Sequence, residues 1–205
     1  MSLLDKVYKS RNTIIEMMED RGNKMDEYKQ YSIHEIELMI SSLPKSNKDM
    51  SPIDITLDNV MIKYIFTPKI RITHLTTLAN HFIENYKEGD TIIFIIRDKI
   101  TSEESIEEVF DNIYSNYKIF IQYFYLDTLT FNVTHHNLVP THTILTEEES
   151  ETLVKSLYIT NRNKLPKIKK TDPISKYYGI KQGEIFRIMR PSETCGTSYY
   201  YRLCE

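Results

Sequence analysis

Residues 172–194 read DPISKYYGIKQGEIFRIMRPSET, and almost every joint in this stretch carries a residue whose backbone preference is known. Asp172 before Pro173 is a helix start: the carboxylate accepts from free N–H groups of the first turn, and the proline already has a helical φ. Gly179 stands where a left-handed C-terminal cap falls, so the helix is short. Gly183 suits a tight turn into a strand. The strand is expected over residues 185–190, where Arg187 and Arg190, an odd number of positions apart, lie on opposite faces. Pro191 is expected to stop it. Ser192, Glu193 and Thr194 form a polar connection, Gly196 a further turn, and residues 198–204 a tyrosine-rich last strand. The prediction is a helix, a turn and a hairpin.

These residues resemble a known family. Residues 165–194, LPKIKKTDPISKYYGIKQGEIFRIMRPSET, with YYYRL at 199–203, are similar to the assembly domain of the shared RNA polymerase subunit. That subunit is called H in archaea and is the fifth subunit of the eukaryotic nuclear polymerases. The likeness begins at NVTHHNLVPTH, residues 132–142, and so covers the last third of the chain. The order DP, YxGIKxG and RPSET is more specific than any short motif. The resemblance implies a small C-terminal α+β assembly domain that docks on the largest polymerase subunit. It points to Asp172, Pro173, Tyr177, Gly179, Arg190, Pro191, Ser192, Glu193 and Thr194 as the partner-binding residues. For Arg190 and Glu193, a local ion pair bracing the turn is an equal reading.

Composition sets wider limits. The chain has 205 residues, 40% hydrophobic and 27% charged, as in a globular protein rather than a disordered one. Its net charge of −3 gives no overall drive towards nucleic acid. The charge is uneven: residues 1–131 hold 15 basic and 21 acidic side chains, residues 132–205 hold 11 and 8. Two cysteines, Cys195 and Cys204, are too few for a disulfide scaffold. No signal peptide and no membrane-spanning apolar run is evident, so an intracellular home is expected, with no membrane partner.

From the start of the chain, Leu3, Leu4, Val7, Ile14, Ile15 and Met18 form a helical stripe that Gly22 ends. The piece MMEDRG, residues 17–22, resembles the same place in the longer, eukaryotic-type subunit. Ser32 and Glu35 form a capping box for a second helix, and residues 43–52 read as a loop. Strands are expected at 60–66, 91–96 and 118–125, with helices at 74–86 and over Ile106, Val109, Phe110 and Ile113. This alternation favours a mainly parallel or mixed sheet covered by helices, an α/β fold for residues 1–131. In the family this portion is a jaw, similar to restriction-endonuclease folds and placed beside downstream DNA.

That fold likeness raises an enzyme reading, which the residues oppose. Nucleases of that type place an acid and a lysine two apart on a strand to hold a metal. Here Asp98 and Lys99 are adjacent and face apart, and Asp58 with Lys63 fits no better. His135, His136 and His142 with the two cysteines lack zinc spacing. No catalytic residue, metal or cofactor is expected. A stand-alone nucleic-acid-binding protein and a nuclease-derived enzyme are the rival readings.

Arg162, Lys164, Lys167, Lys169 and Lys170 form a basic stretch, read as a solvated strand edge rather than a phosphate track. Tyr199, Tyr200 and Tyr201 are read as a half-buried hairpin rather than a base-stacking platform. Thr146 and Glu149 make a further capping box over Leu153, Val154 and Leu157. In cellular members the jaw-tip loop reads ITPSA. Here residues 100–104 read ITSEE, with Thr101 and Ser102 as the DNA-proximal positions and Glu103 and Glu104 repelling phosphate. Thr101 and Glu104 are also expected to cap the following helix. The thin match of the jaw, which rests mostly on position and element order, beside the well-matched assembly domain suggests a divergent copy from a large DNA virus that transcribes in the cytoplasm. Virion and host cytoplasm are then the expected sites, or the nucleus for a cellular copy.

Overall fold

The structure is a computed structural model that describes residues 1–44, 46, 50–84, 86–100 and 103–205. The chain divides into two compact units, the first made of Met1–Met18 and Lys24–Phe131, the second of Glu19–Asn23 and Asn132–Glu205.

In the first unit, α1 (Leu3–Asp20) and α2 (Ile33–Ser41) precede a short strand β1 (Ile55–Thr56). Then come β2 (Val60–Ile65), α3 (Ile72–Ile83), β3 (Thr91–Ile96), α4 (Glu103–Tyr117) and β4 (Phe120–Tyr125). The sheet order is β1-β2-β3-β4, with β2, β3 and β4 parallel and β1 antiparallel at the edge. The continuous apolar run of β3 follows from its place: it has a strand on each side, and five of its six residues are buried. Met61, Ile92, Phe94, Ile96 and Ile121 pack on one face with Leu75, Leu78 and Phe82 of α3 and Ile106, Phe110 and Ile113 of α4. The other face meets α1, where the Ser10 hydroxyl lies 3.4 Å from the Tyr64 hydroxyl. The capping box at Ser32 and Glu35 is formed.

Among the described residues of this unit, two cations are buried, which no apolar pattern announces. Lys63, only 1% exposed, projects from β2 and donates to Asp54 Oδ2 at 2.7 Å. Asp54 also accepts from the N–H groups of Ser51 and Tyr64 at 2.7 and 2.8 Å, so the ion pair has the extra hydrogen bonds a buried pair needs. Arg11, also 1% exposed, donates to the Ile53 carbonyl at 2.7 Å and lies over the Tyr31 ring at 4.9 Å.

The second unit is an α+β domain. Its elements are β5 (Thr141–Ile144), α5 (Glu147–Ser156), β6 (Lys167–Ile168), α6 (Pro173–Tyr178), β7 (Ile185–Ser192) and β8 (Gly196–Cys204). The sheet order is β5-β7-β8-β6. Ile168, Ile174, Ile180, Phe186, Ile188 and Cys204 fill one side, Leu145, Leu153, Leu165, Ile185 and Leu203 the other. Thr146 and Glu149 cap α5 as a reciprocal box.

Two expectations need correction. Pro191 does not stop its strand, because β7 runs on to Ser192, with Pro191 opposite Thr197. The register explains why. Cys204 exchanges backbone bonds with residues 183 and 184, so alternate residues of β7 from Ile185 onward aim their N–H groups at β5. Pro191 falls in that set, two residues past Met189, where β5 has ended at Thr141. A proline is tolerated there because no ladder bond needs its nitrogen. The tyrosine hairpin is also less buried than expected: Tyr199 and Tyr200 remain 55% and 52% exposed, and Tyr201 alone packs on a core cluster.

Candidate docking surface of the second unit

The punctuated stretch builds one compact corner. Asp172 accepts from the Ile174 N–H at 2.9 Å, and Pro173 occupies the first turn of α6. Gly179 closes the helix with φ +66°, and its N–H returns to the helix carbonyls. A side chain there would have to adopt a left-handed backbone, and its Cβ would sit 3.0 Å from the Arg21 guanidinium.

Arg21 is the group the sequence hid. Its Nε donates to the Tyr177 carbonyl at 2.9 Å and a terminal nitrogen donates to the Lys176 carbonyl at 2.6 Å. These are end carbonyls of α6, at the negative end of the helix dipole, and that of Lys176 also takes the Gly179 N–H. Burial pulls the Arg21 guanidinium down to about 10, which keeps it charged at neutral pH. Beside it the Tyr177 hydroxyl donates to Asp20 at 2.6 Å and accepts from the Asn132 amide at 3.0 Å. Burial and the Asp20 bond push the Tyr177 hydroxyl well above its ordinary value. The neighbouring pair Asp20 and Arg21 thus grips the far end of a helix some 155 positions along the chain. The only sequence signal was the MMEDRG piece.

His142 sits on β5 against the core. Its ring meets Phe186 edge-on at 5.3 Å and its Nδ1 donates to the Pro140 carbonyl at 2.7 Å. Burial holds its pKa below the ordinary value; Asp172 opposes that, and Arg190 and Arg202 add to it. His135 is near Asn132, and His136 accepts from the Leu138 N–H. Among the described residues, no group of three or more histidine, cysteine or acidic side chains is placed to hold a metal. Burial pushes the Cys204 thiol up to about 11, and Cys195 is exposed.

The nominated residues therefore fall into two sets. Asp172, Pro173, Tyr177 and Gly179 are spent on shaping the α6 corner, and Tyr177 is buried. Arg190, Pro191, Ser192, Glu193 and Thr194 lie on the β7–β8 hairpin; all are exposed except Ser192, which is partly buried. Arg190 stacks over Tyr200 at 5.2 Å rather than pairing with Glu193. Arg187, on the opposite face, reaches towards Glu149 of α5 at 3.9 Å. In the basic stretch Arg162 binds Glu147 and Lys167 binds Glu205 at 2.6 Å, and β6 is an edge strand.

In the first unit, Thr101 and Ser102 lie outside the described residues, and so does the cap expected of Thr101. The flanks of that loop are held: the Tyr125 hydroxyl accepts from the Ile100 N–H at 3.3 Å and donates to Glu103 at 2.7 Å. Burial and that bond push the Tyr125 hydroxyl up to about 12. Of the residues weighed for a nuclease, Lys63 is buried against Asp54, and Asp98 lies beside Arg97 at 3.8 Å. No helix among the described residues is long and apolar enough to cross a membrane.

Residues 131–204 match the family described as RNA polymerase Rpb5, C-terminal domain. Over 208 aligned residues, covering 100% of both chains, the protein is 29% identical to the Dictyostelium discoideum "DNA-directed RNA polymerases I, II, and III subunit rpabc1". It is 27% identical to the Caenorhabditis elegans subunit RPABC1, over 97% of this chain and 95% of that one. Residues 131–204 are thus similar to the Rpb5 C-terminal domain, and the whole chain is similar to proteins named as shared subunits of DNA-directed RNA polymerases.

Proposed function

We propose that this chain is a non-catalytic subunit of a multisubunit DNA-directed RNA polymerase. It docks on the largest subunit through the second unit and holds the first as a jaw beside downstream DNA. Polymerisation and its metal chemistry belong to the large subunits. The observation that carries this reading is the full-length similarity to shared polymerase subunits. The geometry supports it: a capped corner presents a projecting hairpin whose outer residues, Arg190, Pro191, Glu193 and Thr194, are exposed. On this reading Asp172, Pro173, Tyr177 and Gly179 fix the hairpin's setting, while the exposed residues and Ser192 touch the partner. Thr101 and Ser102 are the DNA-proximal positions, and contact with DNA occurs within the complex. We read the chain as a divergent copy that serves a large DNA virus in the host cytoplasm, because its first unit resembles the family jaw mostly in position and element order.

Separate charge reversals Arg190→Glu and Glu193→Lys test the docking. Lost co-purification with the largest subunit, with an unchanged thermal transition, supports contact; loss of both binding and fold assigns these residues to the hairpin's own stability. A salt titration of DNA binding tests the rival. Submicromolar affinity of the isolated chain near physiological salt would replace the subunit reading with a stand-alone DNA-binding protein.

A further inference from the structure

The second sheet has an edge that the described residues of its own unit leave unused. Strand β8 is paired with β7 along its whole length, but its other side meets β6 at Leu203 and Cys204 only. The direction of each backbone group follows from the bonds. Cys204 donates to the Glu184 carbonyl and accepts from the Gly183 N–H, whereas the Leu203 N–H turns outward to the Pro166 carbonyl. By alternation the N–H and C=O groups of Tyr200 and Arg202 point to β7, and those of Tyr199 and Tyr201 point outward. Pro166, with no N–H to give, ends the β6 ladder before it can reach Tyr201. Edge strands of stable proteins are usually blunted by lysine, proline or a bulge, and residues 197–201, TSYYY, carry none of these.

We propose that this edge receives an extended, acidic segment of a protein partner as a further strand beside Tyr199 and Tyr201. It rests on the subunit reading above and gives that docking a mode. Alternating donors and acceptors along an edge complement another peptide backbone, whereas a DNA sugar–phosphate chain offers acceptors for the N–H groups but no donors for the carbonyls, which favours protein over DNA. The charge of the segment is read from the flanking side chains. Arg190 and Arg202 are exposed on the Tyr200 face, and neither has an acidic partner among the described residues. Tyr199 lies on the opposite face with Met189, both more than two-fifths exposed, an apolar rest for alternate side chains of the incoming strand.

The test is single-residue amide hydrogen exchange on the tagged full chain, free and captured in the polymerase it co-purifies with. Tyr200 and Arg202 are expected to be protected in both states. Tyr199 and Tyr201 are expected to exchange freely in the isolated chain and to slow more than about tenfold on capture. Equal exchange of Tyr199 and Tyr201 in a captured complex overturns the proposal and leaves the subunit reading standing. Failure to capture any polymerase overturns both. Protection of the two amides by a DNA duplex added to the free chain overturns it in favour of nucleic acid. As a second arm, Tyr199→Pro removes one outward N–H without touching the β7 ladder, so weakened capture at an unchanged thermal transition is expected, and undiminished capture counts against the edge.

Discussion

The first unit is held from within, and the second is held at its ends. In the first, β2, β3 and β4 are buried almost throughout, their residues are mostly isoleucine and large aromatics, and Lys63 is sealed among them. In the second, β7 and β8 are buried at one end and exposed at the other, and named polar groups fix the chain: the Thr146 box, the Asp172 cap, the left-handed Gly179 and the Arg21 clamp. A core filled by volume accepts many aliphatic combinations, whereas a left-handed corner accepts glycine and a helix cap accepts a short polar side chain. That difference gives a physical reason why the motifs that carry the resemblance lie in residues 165–194.

The comparison breaks most sharply at Lys63. Lys63→Ala leaves the Asp54 carboxylate buried without its cation and should destabilise the first unit by about 3–5 kcal/mol. Hydrogen exchange should show the loss in β1 and β2, with little change at α6; an unchanged first unit would mean the pair is not buried as described. Next, Arg21→Ala uncaps the last carbonyls of α6 and should cost the second unit roughly 1.5–3 kcal/mol, the range for bonds to a charged group. Its signature is faster exchange in α6 and the hairpin, and no effect there would return residues 19–23 to the first unit. Gly179→Val forces a β-branched side chain into a left-handed backbone beside Arg21 and should cost roughly 1–2 kcal/mol, read as a lower urea midpoint for the second unit. The smallest effect concerns pH. His142 is neutral when folded and has a depressed pKa, so the unfolded chain binds more protons once pH drops below about 6.5. Stability of the second unit should therefore fall as pH is lowered from 6.5 through the folded pKa, and His142→Gln should flatten that slope.

Much of the fold was legible because its signals are local. The run at 91–96 marked the central strand, capping boxes marked α2 and α5, and Asp172, Pro173 and Gly179 bounded α6. What escaped depends on distant partners. Nothing near Arg21 indicates that its acceptors are Lys176 and Tyr177, and nothing near Lys63 or Arg11 indicates burial. Pro191 misled because a proline ends a strand only where its nitrogen faces a neighbour, and that depends on where β5 stops. The exposed hairpin was expected as a half-buried one because the pattern YYY shows alternation but not what covers each face.

The central claim is that this chain works as a polymerase subunit that docks through its second unit. Affinity capture of the largest polymerase subunit from the native source, with quantification of the proteins that come with it, tests this most directly. The account predicts the chain in stoichiometric amount and its loss when the hairpin carries Arg190→Glu; a complete, transcribing polymerase without the chain would contradict it.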